Sequence, residues 1–485
     1  MAATPDSAPA TIRMTPPLLW VYGCGAFGML LQIGGTAILA RILAPQSFGE
    51  IAVAAAVLRV AQHVANMGMT TALTREAGRI EAAARALILF SVGFSLLLAG
   101  LLWICAPMLL WLQPEATGSI PVLRALAFTP VLAACGQAAA ALLQSRLDFR
   151  RLGLAQLAAQ ASGQIGVAIP LAILGAGTWS LVCGSLVQAA MLAALVLMFA
   201  RPGWRGPLAV PADLLRLGFR YMLLRLLDVS GQSIPPLAIT AMAGLAATGS
   251  FDRAFALSVM PLDWLATGLA TVLFPIYARQ TAQAENARLL LPSIALGGGV
   301  LFAVAIGMLM ARDHLVLAVL GPQWHAATPL LGWLAAWGFL RGLVVLNGSL
   351  VEARSSLRFR SWQQAGYVVC LAGLLLLVRP SGADHIMMLL VAVEVVNVAL
   401  LFWHAAHVAG LAALPLLRSL LAVFYPGLAV AVSLALVLPV TAAWPAATAL
   451  GLCIGLSALA LAGSLYWHPA PALRSLVRSL LRRPA

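Results

Sequence analysis

The stretch ILARILAPQSFGEIAVAAAVLRVAQHVANMGMTTALTREAGR, Ile38 to Arg79, carries the pattern from which the fold can be predicted. It leaves one apolar helix, turns at Ala44 to Gly49, continues as a second apolar helix and ends in a charged loop. A weaker copy lies 200 residues later. Seven residues of the first copy, Gly49, Ala54, Ala56, Gly68, Thr71, Leu73 and Arg79, meet identical residues at that offset, Gly249, Ala254, Ala256, Gly268, Thr271, Leu273 and Arg279. We therefore predict a chain of two similar halves.

The composition indicates an integral membrane protein. Of 485 residues, 62% are hydrophobic and 9% are charged, and the mean hydropathy is +0.97, outside the range of soluble domains. Apolar runs of about 20 residues recur along the chain, which favours spanning helices over a barrel. Fourteen spans are predicted, at residues 17–40, 51–70, 86–110, 121–143, 152–174, 178–200, 222–244, 250–274, 289–311, 325–350, 361–378, 384–408, 417–438 and 444–466.

The charge distribution supports this count. All 29 basic residues are Arg, and they are scattered between the spans rather than gathered in a soluble domain, which argues against nucleic acid as a partner. With both termini in the cytoplasm, twenty-one of them fall on cytoplasmic segments, as the positive-inside rule expects. Arg41, Arg124, Arg312 and Arg379 fall on external segments, and the remaining four lie within or at the edge of spans. One missed span would destroy this alternation.

The domain organisation follows from the longest cytoplasmic connection, residues 201–220, whose second part is expected to be a basic amphipathic helix on the membrane surface. An offset covering six spans makes the halves parallel repeats. The predicted fold is all-α and polytopic, with two parallel six-helix bundles; the resemblance described below implies that they surround a central cavity. The expected boundaries are a tail 1–16, a first bundle 17–200, the linker 201–220, a second bundle 221–408, two additional helices 409–466 and a basic tail 467–485.

The sequence predicts neither a metal site nor a cofactor. The six cysteines lie singly inside apolar runs, and His404 and His407 lack a third ligand nearby. No Walker motif, GxSxG motif or paired catalytic carboxylate lies outside the spans, and the external loops are short. These features argue against an ATPase, a hydrolase or a membrane polymerase.

The second span contains a polar stripe. Arg59, Gln62, His63 and Asn66 are spaced to lie on one helix face. Charges in hydrocarbon are costly and usually face a cavity or a partner. Arg59 is thus a candidate for holding an anionic head group, because a guanidinium matches phosphate oxygens; the alternative is a structural pair with a carboxylate from another span.

The seventh and eighth spans carry more charges. Arg225 and Asp228 are expected to form a local pair. Asp252 and Asp263 share a face, and Arg253 either faces the mouth of a cavity or sits in the interface. Asp252 and Asp263 are candidates for ion coupling. The alternative for Asp263 is that its carboxylate neutralises Arg59 across the halves.

Later spans add further candidates. Trp337 and Arg341 share a face of the tenth span with Trp333, where aromatic rings either stack on sugars or anchor the helix at the interface. Glu394 is a third candidate for ion coupling. A ladder of amides on the fifth span lines a hydrated lumen or bonds to neighbouring helices; it consists of Gln156, Gln160 and Gln164.

Three segments resemble a known family. ARILAPQSFGEIAVAAAV is similar to the "AR.LGP..FG....A" opening of bacterial polysaccharide export flippases, the Wzx-like branch of the multidrug, oligosaccharidyl-lipid and polysaccharide exporter superfamily. GSFDRAFALSVMPLDWLATGLATVLFPIYARQ resembles that family's "G.Y..A..L...P......A...VLFP..SR", and LGPQWHAATPLLGWLA its "LGP.W..A.PLL..L". Phe251 replaces the usual Tyr, and Ala44 replaces the usual Gly.

The resemblance implies an inner-membrane protein that moves undecaprenyl diphosphate-linked oligosaccharide across the bilayer by alternating access. Arg59, Gln62, His63, Asn66, Arg253, Arg341 and Trp337 would line its cavity. The implied partners are this lipid-linked oligosaccharide, membrane lipid, and polysaccharide polymerase and export machinery. The rival hypotheses are a cation-coupled drug antiporter of the same superfamily and a membrane polymerase or ligase.

Overall fold

A computed structural model describes residues 15–66, 77–111, 118–146, 148–201, 212–279, 290–354, 357–378 and 382–467. Every regular element in these ranges is helical. The predicted N-terminal tail, the basic C-terminal tail, Arg75 and most of the linker lie outside them. Side chains of Asn66 and Arg225, although in helices, are also outside the described set.

The described residues of the first half form eight α-helices. Two of them, α6 and α7, are joined through a π-helical stretch, Ser162–Ala168, into one continuous span. The helices are α1 Thr15–Ile42, α2 Pro45–Asn66, α3 Ala77–Trp111, α4 Ile120–Leu126, α5 Thr129–Ser145, α6 Phe149–Ala161, α7 Ile169–Ile173 and α8 Thr178–Ala200.

The second half begins with a 68-residue helix that changes direction at Gly244, whose φ of 82° and ψ of 177° are not helical. We treat its two sides as limbs, one before and one after Gly244. The helices are α9 Ala212–Arg279, α10 Gly299–Met310, α11 Arg312–Val319, α12 Ala327–Arg354, α13 Leu357–Val378, α14 Ala383–Ala409, α15 Ala413–Thr441 and α16 Ala446–Tyr466. A π-helical turn, Ile294–Gly298, precedes α10, and a 3₁₀ turn, Pro322–Trp324, precedes α12.

The structure confirms a polytopic all-α protein. Twelve helices of the described chain are long and apolar enough to cross a membrane, and one of these, Leu226–Thr271, combines most of the seventh and eighth predicted spans. The fifth predicted span is the composite α6, π-helix and α7. Each of the fourteen predicted segments is thus largely helical over its described residues, while the division into two six-helix bundles stays a prediction.

Two local predictions were wrong. The turn predicted from Ala44 to Gly49 ends earlier, because Pro45 fits the first turn of α2, where a missing N–H costs nothing. The external loop predicted around Arg312 contains the helix α11. The second part of the linker is helical, as predicted, and continues into the seventh span, since α9 starts at Ala212. Its place on the membrane surface stays a prediction.

The two sequence copies meet in the structure. A Cβ added at Gly49 would overlap the Leu245 carbonyl oxygen, and one added at Gly249 would overlap the Pro45 carbonyl oxygen. Each contact becomes the other when 200 residues are added or subtracted, which is the self-complementary pattern of a two-fold axis. Glycine lets the α2 and α9 backbones approach this closely. The weak echo in the sequence is therefore a structural pseudo-symmetry.

Hydrophobic packing differs between the two ends of the molecule. We call the end that holds Arg146, Arg150 and Arg201 the Arg-rich end, and the other the Arg-poor end. The largest buried cluster joins both halves at the Arg-poor end; it includes Leu43, Phe48, Ala172, Phe251, Leu320 and Trp324. At the Arg-rich end, one cluster belongs to the first half, around Leu142, and another to the second half, around Leu401. The halves thus adhere at the Arg-poor end.

Candidate functional site

A charged cavity of about 510 Å³ lies in the second half, between α9, α12, α13 and α14. Four carboxylates and two guanidinium groups line it, which makes it acidic if all are ionised. They are Asp228, Asp263, Glu352, Glu394, Arg341 and Arg360. Because ionisable groups are costly in a membrane, this concentration indicates a functional cavity.

One of the two ion pairs among the described residues of this cavity joins α12 to the second limb of α9. Arg341 Nε lies 3.4 Å from Asp263 Oδ1, and both side chains are largely buried. Asp228 and Glu394 also act electrostatically on Arg341. Asp263 therefore neutralises an Arg of its own half, and the hypothesis that it neutralises Arg59 across the halves was wrong.

Glu394 is at the buried end of a hydrogen-bonded chain. It is 2% exposed, and its two oxygens accept from Trp337 Nε1 at 2.9 Å and from Asn397 Nδ2 at 3.1 Å. Gln363 Nε2 donates to Asn397 Oδ1 at 2.9 Å, and Arg360 Nη1 donates to Gln363 Oε1 at 3.1 Å. The chain thus leads from a buried carboxyl group to a charged residue near the Arg-rich end.

Arg59 stands in a different situation. Its Nε is buried and has no hydrogen-bond partner within the described residues, where its guanidinium also forms no ion pair. Asp252 is the carboxylate that acts on it electrostatically. A guanidinium with spare donors in a spanning helix is suited to an anionic ligand.

The other residues of the polar stripe on α2 differ from one another in their surroundings. His63 Nδ1 lies 2.9 Å from the Arg59 carbonyl oxygen, so its ring bonds back to its own helix. Gln62 lines a cavity of about 390 Å³ between α2, α5 and α8, with Thr129, Gln137 and Gln188. Asn66 ends α2, and its side chain lies outside the described set.

The amide ladder of the fifth span serves both purposes that the sequence left open. Gln160 Nε2 donates to Gln32 Oε1 at 2.8 Å and to the Gly28 carbonyl oxygen at 3.0 Å, which ties α6 to α1. Gln156 and Gln160 also line a second cavity of about 270 Å³, which shares Gln188 with the first. No charged side chain is among the residues that line these two first-half cavities.

Arg253 and Asp252 lie in the contact between the halves near the Arg-poor end. Arg253 Nε donates to Asp252 Oδ2 at 3.1 Å, and its Cζ lies 4.5 Å from the centroid of the Phe48 ring. Its Nη1 reaches Thr36 Oγ1 of α1 at 3.5 Å. The structure therefore places Arg253 in the interface, one of the two positions the sequence allowed.

Trp337 is 1% exposed, and Arg341 Cζ lies 5.2 Å from its ring centroid. In this conformation the Trp337 ring orients Glu394 and is closed to a sugar, whereas Trp333 is 36% exposed, as expected of an interface anchor.

Sequence reasoning missed Arg360, Gln363 and Tyr367 of α13 and Gln188 of α8, all of which line the cavities or the hydrogen-bonded chain. Arg360, Gln363 and Tyr367 follow at i, i+3 and i+7, so helical spacing was the available signal. Gln188 follows Ser185 at i+3, and both line the first-half cavity beside Gln62, so helical spacing was again the available signal.

Comparison with known proteins agrees with this geometry. A family model described as polysaccharide biosynthesis protein matches residues 38–329, more than half of the chain. The chain is 27% identical over 316 residues to the succinoglycan biosynthesis transport protein ExoT of Rhizobium meliloti, covering 64% of this chain and 63% of ExoT. It is 23% identical over 329 residues to the lipopolysaccharide biosynthesis protein WzxC of Escherichia coli, covering 66% of this chain and 65% of WzxC. These alignments thus span less than two thirds of either relative.

Solved structures support the same fold. The lipid II flippase MurJ, in an inward closed conformation, superposes with a TM-score of 0.70 at 10% identity, covering 95% of this chain and 99% of MurJ. An inward-facing multidrug resistance MATE family transporter of the MOP superfamily gives 0.60 at 13% identity, covering 82% of this chain and all of the transporter. The chain belongs to the polysaccharide biosynthesis protein family and has the fold of the multidrug, oligosaccharidyl-lipid and polysaccharide exporter superfamily.

Proposed function

We propose that this protein flips undecaprenyl diphosphate-linked oligosaccharide repeat units from the cytoplasmic to the periplasmic leaflet by alternating access, for exopolysaccharide, capsule or O-antigen biosynthesis. Its relatives ExoT and WzxC carry names of polysaccharide biosynthesis and transport, which supports this cargo class. The head group must stay out of hydrocarbon while the polyprenyl tail remains in lipid, so the cargo requires a polar path through the protein.

The observation that carries the proposal is the state of Arg59. Of the three Arg residues in the predicted cavity set, Arg253 and Arg341 each pair with an Asp, whereas Arg59 has no ion pair within the described residues. A diphosphate binding to Arg59 would not have to displace a carboxylate. We therefore assign the diphosphate to Arg59, with Gln62 of the same helix face beside it.

Coupling to an ion gradient is assigned to the second-half cavity. Asp252 and Asp263 are engaged with Arg253 and Arg341, while Glu394 receives its hydrogen bonds from the neutral donors Trp337 and Asn397. A coupling cation that enters this cavity would reach Glu394 without breaking an ion pair, so Glu394 is the first choice for coupling.

The orientation follows from charge. The Arg-rich end faces the cytoplasm of a bacterial inner membrane, and both termini are cytoplasmic. A labelling Cys introduced after Gly175, in the turn between α7 and α8, should react with an impermeant reagent added outside whole cells. A Cys in place of Arg150 should not, and the reverse pattern would overturn the orientation.

The experiment that tests the cargo uses Arg59→Ala. Polymer export should fall, and lipid-linked repeat units should accumulate in the cytoplasmic leaflet while the variant stays in the membrane. The matched control is Arg124→Ala, which removes an Arg that bonds the Trp103 carbonyl oxygen and stacks on its ring at the Arg-poor end. Full export by Arg59→Ala would remove Arg59 from the mechanism.

A drug antiporter is the second candidate, because four carboxylates against two Arg in the second-half cavity suit a cationic ligand. It predicts ion-driven efflux of a cationic dye from vesicles, which Arg59→Ala leaves unchanged. A polymerase or ligase is a third and weaker candidate, and association with polysaccharide polymerase and export machinery belongs to the proposal.

A further inference from the structure

The last turn of α1 is bonded to the second half at the Arg-poor end. Trp324 Nε1 donates to the Ala40 carbonyl oxygen at 2.8 Å. Gln323 Nε2 donates to the same oxygen and, at 3.2 Å, to the Leu43 carbonyl oxygen. In the opposite direction, Arg41 Nη2 donates to the Ala318 carbonyl oxygen at 2.6 Å. The bonds therefore run both ways between the halves.

These acceptors are available because of where they lie. The last four carbonyl groups of an α-helix have no partner within the helix. Here donors from the turn after α11 take the place of a C-cap. Gly321, with a φ of 103°, gives that turn a conformation that favours glycine and so places Gln323 and Trp324 against α1.

Aromatic packing reinforces the bonds. Trp324 is completely buried, and its ring meets the Phe48 ring edge to face at a centroid distance of 5.3 Å. Arg253, held by Asp252, also lies 4.5 Å from the Phe48 centroid. Side chains from α2, α9 and the turn before α12 thus converge on one point of the interface.

We propose that Arg41, Phe48, Arg253, Gln323 and Trp324 form a latch that reversibly closes the Arg-poor end. The bonds to α1 involve carbonyl groups at a helix end, where water replaces the lost donors when the halves part. For these hydrogen bonds, opening exchanges protein partners for water in a nearly balanced process, so the burial of Trp324 and Phe48 is the contribution that favours the closed end. The proposal rests on alternating access in the proposed function but not on the identity of the cargo.

Distance measurements between spin labels test the latch. In a background without the six native cysteines, one label pair replaces two exposed residues at the Arg-poor end, Ala44 of the first half and Ala326 of the second half. A second pair replaces the exposed residues Arg150 and Ala412 at the Arg-rich end. The protein is reconstituted in lipid without cargo, so the result does not depend on what is transported.

Two variants remove one donor each. Gln323→Ala deletes an amide, and Trp324→Phe keeps an aromatic ring against Phe48 but deletes the N–H. Each should lower the ratio of closed to open molecules about 2- to 10-fold, and the double variant more. A longer distance should appear for the Ala44/Ala326 pair and a shorter one for the Arg150/Ala412 pair. The matched control is Gln46→Ala, which truncates an exposed Gln of the same region.

An Ala44/Ala326 distribution in the double variant equal to that of Gln46→Ala would overturn the latch. If Trp324→Phe fails to fold, Arg41→Ala gives an independent test, because Arg41 is exposed and donates in the opposite direction. Shifted distances together with normal export by Arg59→Ala would support the latch and reject the assignment of the diphosphate to Arg59.

Discussion

The two halves of this protein share a backbone frame but differ in the chemistry of their cavities. Gly49 and Gly249 occupy equivalent places and make equivalent contacts. The first-half cavities, however, are lined by amides, hydroxyls and apolar groups, whereas the second-half cavity holds four carboxylates and two Arg. The repeat is retained where backbones touch and lost where side chains face a cavity.

This difference has a physical reason. At the crossing of α2 and α9 any side chain larger than hydrogen meets a backbone carbonyl, so both copies need glycine. A cavity wall has no such steric restriction, and its side chains are determined by the ligand that the cavity binds. Two halves that do different work should therefore diverge first in their cavities.

The largest expected effect is on the shared frame. Gly49→Ala and Gly249→Ala each put a methyl group on a backbone carbonyl of the other half, and each should cost about 3 kcal/mol or more through overpacking. Folded yield in detergent and thermal stability by size-exclusion after heating give the measurement. Gly34→Ala is the control, because a Cβ there meets nothing within 4 Å.

The two glycine variants also test the symmetry itself. If the contact is a true two-fold, Gly49→Ala and Gly249→Ala should lose stability to a similar extent. A Gly49→Ala protein as stable as Gly34→Ala would show that the two glycines do not make equivalent close contacts.

Much of this frame could be predicted from the sequence. Span length and the alternation of Arg between loops predicted fourteen helical segments, and the 200-residue offset aligned the two glycines that the structure brings together. At Gly244 the sequence predicted only that one span ends before the next begins. Helical periodicity does not show that the two spans continue into each other as one helix that changes direction there.

The site was less predictable, because pairing depends on three-dimensional proximity. Helix spacing identified Asp263, Arg341 and Glu394 as unusual, but nothing in the sequence indicated that Asp263 meets Arg341 rather than Arg59. Likewise, Trp337 had the spacing of a stacking residue, and only the fold shows its N–H bonded to Glu394.

The next effect separates the Arg residues of the two halves. Arg341→Ala removes the ion-pair partner of Asp263 and should cost on the order of 2 kcal/mol, less than a fully buried pair because both partners are partly exposed. Arg59→Ala deprives no carboxylate of an ion pair within the described residues and should leave thermal stability nearly unchanged.

Thermal stability of the double variant Arg341→Ala/Asp263→Ala gives the check. It should recover part of the loss, because the unpaired carboxylate is removed as well. Equal destabilisation by Arg59→Ala and Arg341→Ala would contradict the distinction between a ligand-binding and a structural Arg.

A smaller effect concerns Glu394. Trp337→Phe leaves Glu394 Oε2 without its donor in a buried site, which should cost about 1–2 kcal/mol. Trp333→Phe is the matched control, since that side chain is partly exposed. If chemical denaturation shows equal stability for the two variants, the hydrogen-bonded chain contributes nothing to holding the carboxyl group.

The smallest effect compares amides on corresponding spans of the two halves. Asn397 of α14 is 6% exposed and bonded to both Glu394 and Gln363, so Asn397→Ala should cost about 1 kcal/mol. Gln188 of α8 borders two cavities, where water can solvate its neighbours, and Gln188→Ala should change thermal stability by less than about 0.5 kcal/mol. Under the proposed function, Gln188→Ala should reduce transport of the sugar more than Asn397→Ala does. The reason is that the uncharged polar groups near Arg59 belong to the first-half cavities. A Gln188→Ala protein that loses stability like Asn397→Ala would show that the first-half amides are structural, and the contrast between the cavities would then be one of charge alone.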